Sequence, residues 1–525
     1  MTRYLLSPIL LMLSTFAFAQ NTKITWGPPL SVSRTDYIGE IIHADENGFM
    51  ITRKNLNRGT VNAIEKYTNS FRLQYAKDLS GNSRLTNLED TYWSGKKFLF
   101  LTDDYNNKAK TSTYTVSAFE DSKSTASKET PIVTLDLSDK GSLHNTLTAN
   151  SPDYSTKVYL IENSSKSMKT SKDKEYHISV FDINGEKKWQ KTITDKGTSD
   201  YLAEIAEVSV NSNGDVFVIQ KKYDEDNTKK KELVKVNGES ISGYEYAAYV
   251  FTNNGETYKK ISFDLGSRNI LSMNVEVSPK TDNFQYVGMY GNKKYSTIHG
   301  IFFGEVDNKG SIVKKSQSDF TPAFLDNFKR VSVATAKGDD PAALRNNFKL
   351  RAVLSRPDGG AYVVFEYYKL VVTYRTDSQG RSYTTYTYYY NDIIVSSIGK
   401  DGNVAWNYRI PKVQISGSYI FSSIVPVLYG NKLCLIYNEN PSNLNKSFDQ
   451  NFAKVGFKNC STIMRSLDPE GNLKTIELFR NKDVGTMLQP SVCKQTGPNT
   501  VAIYGGKFGL VSIKDGKLGL LELSN

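Results

Sequence analysis

One hairpin pattern recurs eight times along this chain. It consists of apolar and polar residues in alternation, a turn holding Asp or Asn with Gly, and alternation again, as in "EVSVNSNGDVFVIQKKY" at 207–223. Its relatives begin at residues 39, 90, 150, 275, 352, 425 and 491. Period-2 alternation gives each strand one core-facing side, and the turn residues accept the positive φ that a tight connection needs. A second hairpin follows nearly every copy, most clearly at 175–193, 245–263, 301–317, 393–410, 461–478 and 509–523, and more weakly near 63–80 and 113–137. Two hairpins make four strands, and eight such units of about 63 residues consume residues 20–525.

A lone twisted four-stranded sheet cannot bury both faces, but copies arranged around an axis bury them against one another. The expected fold is therefore all-β: a single β-propeller over 20–525 with eight four-stranded blades. Seven blades is the alternative, because the first two units are irregular. With strands lettered A to D from the axis outward, the segment "KITWGPPLSVS" (23–33) reads as an outer strand that pairs with the final blade. Such pairing of the N- and C-terminal strands closes the ring and covers two exposed edges.

Within the second hairpins, "FDINGEKKW" ending at Trp189 and "GKDGNVAW" ending at Trp406 resemble the Asp, Gly, Trp signature of quinoprotein-like propellers. The resemblance implies a tryptophan docked between adjacent blades, often in an eight-bladed ring. Tyr258, Val313 and Leu473 stand where further tryptophans would be expected. That broad group includes quinone-dependent dehydrogenases and a periplasmic propeller that assists outer-membrane protein assembly. No cofactor-binding constellation is recognisable, so no cofactor is expected and no activity is carried over.

The N-terminus "MTRYLLSPILLMLSTFAFA" has one cation, Arg3, then an apolar run from Leu5 to Phe16, then Ala17-Phe18-Ala19. This is the layout of a signal peptide over 1–19, cleaved before Gln20. The run is about twelve residues, short of the ~20 that span a bilayer, and no transmembrane segment is expected. The chain is thus expected to be exported, to the periplasm or the cell exterior. Its formal net charge of +11 allows anionic partners, but export argues against nucleic acid. Metal and catalytic signatures are lacking: His43, His144, His177 and His299 fall in different units without metal-binding spacing. Of the three cysteines, Cys434 and Cys460 fall on strands read as neighbours and form the candidate disulfide, with Cys493 left over.

In a propeller the A–B and C–D turns share one side, while the B–C and D–A connections share the other. The first set is short here. The long insertions fall in the second set: 164–174, 221–246, 438–459 and a tyrosine-rich ribbon as B–C connections, and 321–348 as a D–A connection. In the last, Thr321-Pro322 and Asp340-Pro341 each read as an N-cap with proline at the first helical position, which predicts two short helices. Long loops on a rigid scaffold are where binding resides, so this side is the candidate functional face.

The ribbon, "VVTYRTDSQGRSYTTYTYYYND" (371–392), carries six tyrosines and five threonines. With "DSQG" (377–380) as its turn, Tyr374 faces Tyr383 and Val372 faces Thr385 on one side; Arg375 faces Ser382, Val371 faces Tyr386 and Lys369 faces Tyr388 on the other. Both faces are then amphipathic. Tyrosine offers rigid contact area with a polar tip, so Lys369, Tyr374, Arg375, Arg381, Tyr383, Tyr386, Tyr388 and Tyr390 are the candidate partner-contact residues. These features predict a non-enzymatic binding or scaffold protein of the bacterial envelope that engages a protein or a glycan. The alternatives are a polysaccharide-acting enzyme with its site at the mouth of the central channel, which clustered Asp, Glu, His or Arg there would favour, and a cell-surface adhesin.

Overall fold

The computed structural model describes residues 22–524 except 34, 46, 56–59, 80–87, 121–127, 138–141, 166–172, 197–203, 224–232, 237–238, 264, 293–296, 330–343, 457–458 and 509–512. The segment 1–19 lies outside the described residues, as does the second helix expected at Asp340-Pro341. Seven consecutive four-stranded antiparallel sheets span 37–78, 88–136, 142–196, 204–261, 268–319, 348–416 and 425–480, each with its strands in chain order. The eighth is built from Met487–Leu488 and Lys494–Gly497, Thr500–Phe508, Ile513–Leu523 and, outermost, the N-terminal strand Thr22–Ser31. The eight expected hairpins are the A–B pairs of these sheets.

Neighbouring blades share apolar cores. Separate clusters join blades 1 and 2, 2 and 3, 3 and 4, 4 and 5, 5 and 6, 6 and 7, and 7 and 8. A further cluster joins blade 8 to blade 1, bringing Ile38, Ile41 and Phe49 against Met487, Tyr504 and Leu520. The N-terminal strand pairs with the last one from Thr22↔Leu523 to Ser31↔Asp515, with a bulge between Trp26 and Pro29. The two consecutive prolines, Pro28 and Pro29, take amide donors out of this outer edge, which discourages another chain from adding to it.

Both signature tryptophans dock onto the next blade. Trp189 Nε1 donates to the Gly214 carbonyl at 2.9 Å, and Trp406 Nε1 donates to the Pro469 carbonyl at 2.8 Å. Gly255, at φ +78°, lies under the Trp189 ring, where a side-chain carbon would come within 2.8 Å of the indole. Replacing Trp189 with alanine is expected to cost about 3–5 kcal/mol. The strained and clashing Gly255→Ala should cost about 1–3 kcal/mol, read from denaturant midpoints.

The described A–B and C–D turns are short, as at 211–215, 356–360, 399–403 and 468–472. On the opposite side, blade 4 inserts the hairpin Leu233–Val236 and Glu239–Ser242, and blade 6 extends into the ribbon. Helix Pro322–Lys329, capped by Thr321 Oγ1 on the Phe324 amide at 3.2 Å, packs Phe324, Leu325 and Phe328 onto the junction of blades 5 and 6. The disulfide is not formed: Cys434 and Cys460 are free and buried. Cys434 lies on strand Lys432–Glu439 and Cys460 immediately precedes the adjacent strand Ser461–Leu467, but Cys434 is opposite Ser466, roughly 20 Å from Cys460 at ~3.3 Å per residue.

Candidate functional site

The ribbon grows from blade 6, whose strands Ala361–Thr376 and Ser382–Ile398 run far beyond the sheet. Beyond Tyr368 the first strand has no inner neighbour, because strand Phe348–Ser355 ends its pairing at Phe348↔Tyr367. The third strand, Val404–Ser416, supports the ribbon as far as Tyr388↔Ser416. The outer part is therefore a free two-stranded arm.

Its register differs from the expectation by one residue. The loop closes with Asp377 N donating to Arg381 O and Gly380 N donating to Asp377 O, both at 3.0 Å, with Gly380 at φ +78°. The Asp377 carboxylate also accepts from the amides of Gln379 and Arg381 and from Arg381 Nε, each at 2.9 Å. Three residues, not two, thus separate the paired positions, and a one-residue slip exchanges the faces of a whole strand. The observed pairs are Tyr368↔Tyr390, Leu370↔Tyr388, Val372↔Tyr386 and Tyr374↔Thr384 on one face. Lys369↔Tyr389, Val371↔Thr387, Thr373↔Thr385 and Arg375↔Tyr383 form the other.

The arm is consequently two-sided. One face carries five tyrosines with Leu370 and Val372, and its outer members stay open: Tyr374 is 81% exposed, Tyr386 49%, Leu370 40% and Val372 39%. Of the residues expected to contact a partner, Tyr374, Tyr386, Tyr388 and Tyr390 share this face. Lys369, Arg375 and Tyr383 stand on the opposite, polar face, and the Arg381 guanidinium is held by Asp377 within the loop. Tyr368, Leu370 and Val372, not among the expected contact residues, share Tyr374's face by strand alternation, and the loop register sets Tyr386, Tyr388 and Tyr390 opposite them.

The root of the aromatic face is braced. Tyr368 and Tyr390 meet edge-on at 5.1 Å, and the Arg351 guanidinium lies 5.9 and 5.5 Å from their centroids. Tyr419, from the following D–A loop, packs on Tyr388 at 5.5 Å. Burial pushes the Tyr390 hydroxyl up to about 12, with Arg351 opposing the rise. Beneath lies a buried ionic knot. Glu366 accepts from Lys412 Nζ at 2.5 Å and from Arg351 Nε and Ser423 Oγ at 2.7 Å. Lys412 also donates to Tyr390 O and Gln414 Oε1 at 2.9 Å, and burial draws its ammonium below its ordinary value against the pull of Glu366.

At the opposite mouth of the ring, residues from six blades, including Asn150, Ser209, Glu276, Ser355, Leu428 and Gln495, enclose an axial cavity of about 480 Å³. Its ionisable residue, Glu276, is pushed up to about 7 by desolvation among the encircling blades and by the charge of Glu207. A folded-state value above the ordinary 4.5 means that the folded chain holds the extra proton between those limits. The group costs nothing below about 4.5, destabilises increasingly as pH rises to about 7, and its cost is constant above that. Glu276→Gln is therefore expected to stabilise at pH 8, by on the order of 1 kcal/mol given the openness of this side chain to solvent, and to lose that gain near pH 4.5, as followed by thermal unfolding. His43 bonds Asp45 at 3.3 Å and His177 bonds Thr192 at 3.0 Å; burial lowers both imidazoles. Among the described residues no group of three or more His, Cys, Asp or Glu is placed to hold a metal.

No family model and no curated protein sequence matches the chain. Among solved structures, it is similar to the WD40 domain of SCAP from fission yeast, with TM-score 0.40 and 10% identity over 96% of this chain and 98% of that one. It is also similar to the β-propeller domain of the trilobed protease from Pyrococcus furiosus, with TM-score 0.31 and 10% identity over 72% and 81%. Likenesses this loose say nothing of chemistry. The propeller assignment stands on the strand pairings and shared cores described above.

Proposed function

We propose that this protein is a non-enzymatic binding or scaffold protein of the bacterial envelope, exported by its N-terminal segment, and that it captures a partner protein on the aromatic face of the blade 6 arm. The observation that carries this reading is the arm's register. It gathers Tyr368, Leu370, Val372, Tyr374, Tyr386, Tyr388 and Tyr390 on one face, of which Leu370, Val372, Tyr374 and Tyr386 are exposed, with Lys369 and Arg375 turned away. A contiguous exposed apolar patch marks an interaction surface, and aliphatic residues among the rings suit a protein better than a sugar. Cross-strand pairs worth roughly 0.2–1 kcal/mol each hold the arm without a core of its own. Exchanging Val372, Tyr374 and Tyr386 for serine should abolish capture of a specific envelope protein while leaving thermal unfolding nearly unchanged. Serine at Thr373, Arg375 and Tyr383 should leave capture intact. Equal losses from both sets would refute the reading.

A second reading, a polysaccharide-acting enzyme, draws on the raised carboxyl of Glu276 beside Glu207 in the axial cavity. It requires Glu276→Gln to abolish turnover of a polysaccharide while leaving arm-dependent capture unchanged.

A further inference from the structure

Blades 3 and 4 do not close on each other along their whole length. At the turn end Trp189 fills the gap. Two and four residues further along the same face of strand Lys187–Lys196, the positions are Lys191 and Ile193, which leave the gap open. The result is a cleft of about 430 Å³, within the ~300–1,000 Å³ typical of small-molecule sites. Leu160, Ile178, Val218 and Phe251 contribute apolar wall, and among the described residues no acidic residue lines it.

Two polar groups in the cleft are placed to bond a ligand. Lys191 Nζ donates to the Gly255 carbonyl at 2.6 Å and lies 5.9 and 5.5 Å from the centroids of Phe251 and Tyr258, with no carboxylate partner among the described residues. Gln220 is 6% exposed and lines the same cleft, yet its amide makes no hydrogen bond among the described residues. An amide that opens into a cleft offers both a donor and an acceptor to a ligand that enters it. Lys222 adds a second cation to the lining.

We infer that this cleft binds an apolar monocarboxylate, its aliphatic or aromatic body along the inter-blade wall and its carboxylate between Lys191 and the Gln220 amide. The cation supplies charge complementarity in a partly desolvated setting, where charge-assisted hydrogen bonds are about twice as strong as neutral ones. The site is independent of the arm and involves no bond-making step.

The test is calorimetric titration of the full mature protein with decanoate, decanol and butyrate. Decanoate should bind saturably with one-to-one stoichiometry, decanol at least tenfold more weakly for want of charge, and butyrate undetectably for want of apolar contact. Lys191→Met, which keeps the aliphatic packing over the rings, should weaken decanoate at least tenfold and leave decanol unchanged. Gln220→Leu should weaken decanoate several-fold. No saturable binding of decanoate, equal binding of decanol, or decanoate binding indifferent to both exchanges would each overturn the inference.

Discussion

Exchanging Glu366 for glutamine is expected to destabilise the protein by about 3–5 kcal/mol. Glu366 is fully buried and accepts from Lys412, Arg351 and Ser423. The neutral amide leaves the Lys412 ammonium at 0% exposure without its bonded counter-charge, with only the more distant Glu439 acting on it, and a buried ion deprived of its partner costs far more than the intact pair contributes. The double exchange Glu366→Gln with Lys412→Met removes both charges of that contact and should recover most of the loss, giving a coupling of several kcal/mol in a double-mutant cycle. Because Lys412 also donates to Tyr390 O, the single exchange should loosen the root of the arm, seen as faster amide exchange at Tyr388 and Tyr390. A loss below about 1 kcal/mol, or a double exchange no better than the single, would show that the knot is not held by this pair.

Removing the strand Thr22–Ser31 is the second large effect. It takes Trp26 from its edge-on contact with Phe479 at 5.3 Å and from its seat on Gly519, and Ile24 from the core shared by blades 7 and 8. At their partial burial these two side chains account for roughly 3–4 kcal/mol. The same cut uncovers the edge of Ile513–Leu523, a long strand whose unpaired backbone then invites pairing with a second chain. A chain beginning at Val32 should therefore unfold at markedly lower denaturant and aggregate in a concentration-dependent way. Supplying the missing strand as a synthetic peptide should reverse both. Unchanged stability in the truncated chain would mean that the ring does not depend on its N-terminal closure.

The propeller was legible in the sequence because its determinants are local. Each A–B hairpin announces itself through alternation and a turn with Gly, Asn or Asp, and the docking of Trp189 and Trp406 was implied by the resemblance of their segments to the Asp, Gly, Trp signature. The closing strand was legible for the same reason, as a lone alternating segment with no hairpin mate.

The site was legible only in outline. The ribbon's composition was plain, but its register turned on whether Gly380 belongs to a two- or a three-residue connection, which the order of residues 377–381 does not decide. That single residue separates two mixed faces from one aromatic and one polar face. Adjacent strands for Cys434 and Cys460 were equally readable and their offset was not. The ionic knot joins positions 351, 366, 412 and 423, and charged residues so far apart in sequence read as surface. The same holds for Lys191 and Gln220, which share a cleft because two blades fail to close.

A photoreactive amino acid placed on one face of the arm at a time, with crosslinking in intact cells, tests the aromatic surface most directly. Positions 372, 374 and 386 should each give the same discrete adduct, and positions 373, 375 and 385 none. Adducts of equal yield from both faces, or from the second set alone, would contradict the assignment of the aromatic face as the partner surface.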